Sequence, residues 1–274
     1  MTVAITGANS GVGYHTALGL SRLGARVVLI CRDQGRGERA QTAIEAETGA
    51  RPDLLVADLS DMGEVRRVAA DLQRAAPDLR VLINNAGVVT SRRTMTREGH
   101  ELSNAVNHLA PFVLSNALLD LLKANAPARI VNVNSESHLS ATLDFGDLDG
   151  EKQSFPPNRY GQSKLANMLF TVELAQRIDP ALVTANALHP GLVATDFGDV
   201  GGVVQFGWTF MKPFGISPER GARTPIYCAS SPQLDGVTGA FFVDCKPARP
   251  NPIVRDPAVR ARLWEATERL VGKM

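Results

Sequence analysis

Apolar positions along this chain fall into two kinds of segment that alternate from end to end. Val3-Ala4-Ile5, Val27-Val28-Leu29-Ile30, Leu54-Leu55-Val56-Ala57, Val81-Leu82-Ile83, Ile130 to Val133, Val183 to Leu188 and Phe241-Phe242-Val243 are brief, apolar-rich runs. Runs of that length between polar or glycine turns predict strands buried on both faces, as in a parallel sheet. Between them, apolar residues recur three and four apart: Ala17, Leu18, Leu20 and Leu23; Ala40, Ala43 and Ile44; Val65, Val68, Ala69 and Leu72. That spacing predicts helices with one inward face. Further helices are expected over about 101–125, kinked at Pro111, from Tyr160 to about Arg177, from Ser217-Pro218-Glu219 to about Ser230, and at the C-terminus behind Asp256-Pro257. No linker, repeat or low-complexity segment interrupts the alternation. It predicts one α/β domain over residues 1–274, built on a doubly wound parallel sheet.

Composition removes several function classes. Apolar content is 44% and charged content 21%, ordinary for a soluble globular protein. A net charge of +1 gives no pull on nucleic acid or an anionic membrane. Cys31, Cys228 and Cys245 are far apart and odd in number, which predicts a reducing compartment and no disulfide framework. The five histidines show no metal-ligand spacing. Asp144, Asp147 and Asp149 lie close together, but Phe145 and Leu148 interleave, so the stretch reads as a solvated loop and no metal is expected. A strand begins almost at Met1, leaving no room for a signal peptide, and no apolar run approaches the roughly 20 residues of a membrane span. The expectation is a cytoplasmic protein without a membrane anchor.

Chemistry enters at the first turn. Thr6-Gly7-Ala8-Asn9-Ser10-Gly11-Val12-Gly13 joins the first strand to the first helix. Strand, glycine turn and helix in that order form the setting of a dinucleotide site. Gly7 allows the tight turn, Gly11 lets backbone approach a pyrophosphate, and Gly13 lets helix and strand pack closely. A second candidate is Tyr160-Gly161-Gln162-Ser163-Lys164. Residues four apart share a helix face, so the phenol and the ammonium can face one space. A fixed cation there is expected to draw the phenol pKa towards neutrality, giving an acid/base for an alcohol or carbonyl oxygen. Taken alone, such a pair is more often a surface tyrosine beside a solvated lysine.

The spacing Gly-x-x-x-Gly-x-Gly behind Thr6 resembles the short-chain dehydrogenase/reductase family, and further motifs follow in the family's order: Asn84-Asn85-Ala86-Gly87, Asn107, Ser135, Tyr160 with Lys164, and Pro190-Gly191-Leu192-Val193-Ala194-Thr195. The likeness covers nearly the whole chain. Cys31-Arg32-Asp33, Asn107-His108-Leu109, Ser163 to Asn167 and Asp244-Cys245-Lys246 resemble retinol-dehydrogenase-like members most. The resemblance implies a Rossmann-type sheet of order 3-2-1-4-5-6-7, with the dinucleotide part over about 1–190. It implies catalytic Asn107, Ser135, Tyr160 and Lys164: Tyr160 exchanges the proton, Ser135 steadies the oxygen, Lys164 lowers the Tyr160 pKa and holds the nicotinamide ribose, and Asn107 positions a relay water. Ser137 is the alternative to Ser135 if the strand register is off by two. The implied cofactor contacts are Gly7, Asn9, Ser10, Gly11, Val12, Gly13, Arg32, Asp58, Leu59, Asn85, Ala86, Gly87, Tyr160, Lys164, Pro190, Gly191, Val193 and Thr195. Asp58 reads equally well as a turn aspartate. The chain departs from the family at Asn134, where a serine is usual, which puts the pocket wall in doubt.

Cys31 stands where an NAD enzyme needs an acid, and Arg32 follows it, so NADP(H) is expected over NAD(H). Asp33 is the counter-argument. Residues 196–217, dense in aromatics and glycine, read as a lid over a lipophilic substrate. The expected partner is a small carbonyl or alcohol, worked on as a reductase. Homodimers or homotetramers are common in the family. The rivals are an epimerase or cyclase on the same scaffold, a regulatory dinucleotide binder and a methyltransferase.

Overall fold

The computed structural model describes residues 1–149, 152, 156–192 and 215–272. Among the described residues eight strands form one sheet: β1 (Thr2–Thr6), β2 (Arg26–Cys31), β3 (Asp53–Val56), β4 (Leu79–Asn84), β5 (Ala128–Val133), β6 (Val183–His189), β7 (Phe241–Val243) and β8 (Lys246–Ala248). Their order is β3-β2-β1-β4-β5-β6-β7-β8. The seven expected strands are parallel and in the expected order. The eighth, β8, runs antiparallel to β7. It escaped the sequence because it has three residues, one of them Pro247, and a proline without an N–H is tolerated only on an edge.

The period of two along each strand divides the core. On β1, Val3 and Ile5 face the layer of α1 (Gly11–Arg22), α2 (Gln34–Thr48) and α9 (Arg223–Ser230), the last preceded by the single turn α8 (Pro218–Gly221), while Ala4 faces the opposite layer. That opposite layer contains α3 (Met62–Ala75), α5 (Ala110–Ala117), α7 (Pro156–Arg177) and α10 (Pro257–Val271). One polar seam crosses it and is hydrogen-bonded throughout. Asn84 Nδ2 donates to Ser115 Oγ at 3.0 Å and to Asn132 Oδ1 at 2.8 Å, and Asn132 Nδ2 donates to Thr171 Oγ1 at 2.8 Å. Unpaired amides there would be costly.

Two helices differ from expectation at positions that matter for the site. The long helix is divided into α4 (Leu102–Asn104), a π-turn over Ala105–Leu109, α5, and α6 (Leu119–Ala124). Pro111 has no N–H to give the carbonyl four residues back, which is that of Asn107. Asn167 Nδ2 takes that carbonyl instead, at 2.6 Å. The expected kink is therefore a π-turn centred on Asn107. Helix α7 starts at Pro156, a turn earlier than the sequence pattern suggests, because proline is tolerated in the first helical turn.

Candidate active site

The glycine turn lies at the carboxyl end of β1. Gly7 has φ 64° and Gly11 φ 55°, the left-handed region that glycine enters without strain. A Cβ on Gly13 would stand 2.4 Å from the Gly7 carbonyl oxygen and 2.4 Å from Asn85 Nδ2, so only glycine closes this turn. Thr6 Oγ1 accepts the N–H groups of Asn85 and Ala86, both at 2.9 Å, and stitches the β1 turn to the β4 turn. Asn85 Nδ2 returns a bond to the Thr6 carbonyl at 2.8 Å. Ser10 makes no side-chain cap to α1, so the N–H groups of Gly11, Val12 and Gly13 keep no intrahelical or capping partner.

Apart from Thr6, these residues wall a cavity of about 270 Å³ that also meets Asn9, Arg32, Asp58, Leu59, Gly87 and Val88. A backbone cradle at a helix start fits a pyrophosphate, and the extension past Arg32 fits an adenosine ribose. Asp58 Oδ1 accepts the Ser60 N–H at 2.9 Å and the Ser60 hydroxyl at 2.8 Å, so this residue both lines the cavity and shapes its own turn. Asp33 also holds the fold together, since its Oδ1 caps α2 by accepting the Arg36 N–H at 2.7 Å. Arg36 itself lines the cavity beside Arg32.

The second half of the site joins β5, the π-turn and α7. Tyr160 hydrogen-bonds Ser135. Ser137 stands one step back, its Oγ 3.1 Å from Ser135 Oγ. Lys164 is buried, donates from Nζ to the Val133 carbonyl at 3.0 Å and lies 5.7 Å from the Tyr160 ring centroid. The expected neutral phenol pKa is not found. Burial pushes Tyr160 up to about 12, with the Ser135 bond opposing, and the same burial pushes Lys164 down to about 8. Desolvation dominates both shifts, and the ammonium is turned to the Val133 carbonyl at the end of β5.

Asn107 is fully buried and its side chain is engaged: Oδ1 accepts the Val88 N–H at 2.8 Å, and Nδ2 donates to the Val88 carbonyl at 2.9 Å and to Ser163 Oγ at 3.0 Å. A Cβ on Gly87 would lie 3.3 Å from Asn107 Oδ1 and 3.4 Å from Lys164 Nζ. Gly87 thus keeps open the space between the two groups that the relay expectation joins.

Pro190 and Gly191 follow β6 as expected. Gly191 has φ 92°, and a Cβ there would meet Ile216 Cδ1 at 2.6 Å. Ile216 N donates to the Leu192 carbonyl at 2.8 Å. Val193, Thr195 and nearly all of the expected lid lie outside the described residues. The aspartate loop is solvated only in part: Asp144 is exposed as expected, but its two neighbours are not. Asp147 is buried and accepts the Lys152 N–H at 2.9 Å, while Asp149 accepts from Asn104 Nδ2 at 2.9 Å and meets His100 Nδ1 at 3.3 Å. Among the described residues no cluster of acids, histidines and cysteines could hold a metal.

Sequence reasoning missed Glu101 and Arg159. Glu101 accepts the N–H groups of Ser103 and Asn104, caps α4, and lies 3.7 Å from the buried Arg159 that precedes Tyr160. The signal was available only in part: an acid before a helical run suggests a cap, but nothing in the spacing links residue 101 to residue 159.

Comparison with known proteins decides the lineage. A family model for short chain dehydrogenases matches residues 1–200. The chain belongs to the short-chain dehydrogenase/reductase family. Within the family it is similar to mouse retinol dehydrogenase 14, at 43% identity over 99% of this chain and 86% of the relative. Mouse retinol dehydrogenase 12 is 41% identical over 98% of this chain and 86% of the relative. Among solved structures, an uncharacterised protein from Mycobacterium paratuberculosis superposes with a TM-score of 0.77 at 31% identity, covering 98% of this chain and 92% of that one. A Beutenbergia cavernae protein described as an NAD(P)-dependent gluconate 5-dehydrogenase, solved with NADP at low occupancy, gives 0.71 at 27% identity, covering 89% and 94%. This family member is an oxidoreductase acting on an alcohol or carbonyl group with NAD(P).

Proposed function

We propose that this enzyme is an NADP(H)-dependent reductase that converts the aldehyde or ketone of a small lipophilic molecule to an alcohol, with Asn107, Ser135, Tyr160 and Lys164 as its catalytic residues. One observation carries the chemistry. The Tyr160 phenol is hydrogen-bonded to Ser135 and held up to about 12, so at neutral pH it carries the proton a carbonyl oxygen needs. When bound, NADP(H) supplies the hydride for the carbonyl carbon. Tyr160 donates its proton to the oxygen. Ser135 donates a hydrogen bond to the same oxygen and steadies its developing charge. Lys164 holds the ribose hydroxyls and helps return a proton to Tyr160. Asn107, fixed by Val88 and Ser163, sets the wall opposite Lys164 across Gly87.

Support for NADP(H) comes from the balance of charge at the adenosine end. Arg32 and Arg36 line the cavity together with Asp33, and Asp33 gives its Oδ1 to the cap of α2. Two guanidinium groups there suit a 2′-phosphate. A lipophilic substrate agrees with the retinol dehydrogenase names of the relatives. Free thiols at Cys31, Cys228 and Cys245 agree with a cytoplasmic setting, and no described helix is long and apolar enough to cross a membrane. The test is the kcat/KM ratio of NADPH to NADH with all-trans-retinal and 4-nitrobenzaldehyde. Wild type is expected to favour NADPH, and Cys31→Asp with Arg32→Ala to lose or invert that preference. Wild type favouring NADH would mean that Asp33 faces the ribose after all.

A further inference from the structure

Three consecutive residues at the end of β5 each hold α7. Val133 accepts the Lys164 ammonium through its carbonyl at 3.0 Å, and Ser135 hydrogen-bonds the Tyr160 phenol. Between them stands Asn134, 3% exposed, where the family usually has serine. Its Oδ1 accepts the Ser135 N–H at 2.7 Å, and its Nδ2 donates to the Lys164 carbonyl at 3.1 Å. Its own N–H donates to the Leu188 carbonyl on β6 at 2.6 Å. One amide therefore touches the main chain of two of the proposed catalytic residues and fixes the strand that carries the third contact.

We propose that Asn134 is a positioning residue: its carboxamide sets the distance between the Ser135 hydroxyl and the Tyr160–Lys164 face of α7. The inference rests on the catalytic reading above. The chemistry of the side chain supports it. A carboxamide is planar, carries a donor and an acceptor on opposite edges, and does not titrate. A serine hydroxyl sits directly on Cβ and is too short to accept from Ser135 N–H and reach the Lys164 carbonyl at once. Aspartate has the right shape but two acceptors, and would set an oxygen against the Lys164 carbonyl. No neighbouring bond replaces the link, because the Val133–Lys164 contact is charged and part of the site, and the Ser135–Tyr160 contact must be shared with substrate. Misplacement of a reacting group by about 1 Å can cost about 100-fold in rate.

The experiment uses Asn134→Ser and Asn134→Asp in the full chain, with NADPH as cofactor and all-trans-retinal and 4-nitrobenzaldehyde as probes. Both variants are expected to lose about 10- to 100-fold in kcat, with KM for the probes and Kd for NADPH within about twofold of wild type, because Asn134 is buried and is not among the residues lining the dinucleotide cavity. Asn134→Asp should also shift the pH profile, since a carboxylate near Lys164 raises the pKa of that ammonium above about 8. Unchanged kcat beside a lowered Tm would overturn the proposal and leave Asn134 a purely structural residue. Parallel rises in KM and Kd would overturn it by making Asn134 part of the pocket. Should one variant not fold, the other decides alone. Should neither, amide exchange at Ser135 in Asn134→Gln decides: faster exchange is expected, and wild-type protection contradicts the strut. Tyr160→Phe is run alongside. Activity in that variant sinks the catalytic reading itself and is distinguishable from any Asn134 result.

Discussion

At the ends of β1 and β4 the site is made of backbone, whereas at the end of β5 and along α7 it is made of side chains. In the first region function depends on atoms that are missing. Gly7 and Gly11 adopt positive φ, Gly13 leaves room for a carbonyl at 2.4 Å from where its Cβ would be, and Ser10 leaves the α1 N–H groups uncapped. In the second region the key amides and the ammonium are held by hydrogen bonds. Asn107 has three side-chain bonds, Asn134 two, and Lys164 Nζ one to a strand carbonyl. An anion site wants open donors, while a proton-transfer site wants groups that cannot drift. The contrast teaches that the two regions should fail differently: one in binding, the other in rate.

The contrast is broken most severely by Gly13→Ala. The new methyl meets the Gly7 carbonyl and Asn85 at once, so the turn must open, and NADPH binding should weaken by about 100-fold or more. Titration of NADPH fluorescence checks it; tight binding in this variant would show that the cradle tolerates a side chain. Next comes Ser135→Ala, expected to lower kcat by about 10²–10³-fold with Kd for NADPH nearly unchanged. Ser137→Ala, one hydrogen bond further from Tyr160, should do much less. The reverse order of the two serines would move the oxygen-binding role to Ser137.

The smallest effect sharpens the second region. The ammonium of Lys164 is buried, so its folded pKa of about 8 lies below the ordinary 10.5. Below about pH 8 both states are protonated and the folded state carries the full cost of a buried charge. Between about 8 and 10.5 the unfolded chain binds more protons, so stability rises with pH. Relative to Lys164→Met, wild type should therefore gain stability across that window, on the order of 3 kcal/mol. Chemical unfolding of both proteins at pH 7 and pH 10.5 reads the difference. A flat difference would place the lysine in a solvated setting.

Legibility follows the same division. The backbone region can be read closely, because glycines at Gly7, Gly11 and Gly13 and the run Asn84 to Gly87 state their conformational role in the residue type. The parallel strands are equally plain from their unbroken apolar runs. In the second region the positions are legible and their couplings are not. Pro111 announces a kink, but that the freed Asn107 carbonyl is taken by Asn167, sixty residues on, depends on how α5 and α7 pack. The tyrosine–lysine spacing predicts a shared face, yet the phenol shift has the opposite sign to the one expected, because burial is a tertiary quantity that no local pattern reports. Asp33 resembles a ribose ligand in the sequence, and only the start of α2 shows it capping Arg36.

The central claim is that Tyr160 gives the proton and does not hold the cofactor's affinity. Its most direct test is Tyr160→Phe, which keeps the ring and removes only the hydroxyl. NADPH oxidation with all-trans-retinal is measured beside NADPH binding in the same preparation. The rate should fall by about 10²–10⁴-fold, with Kd for NADPH within about threefold of wild type. Turnover near the wild-type rate would contradict the account, because Ser135 and Lys164 would then be arranged around a phenol that moves no proton.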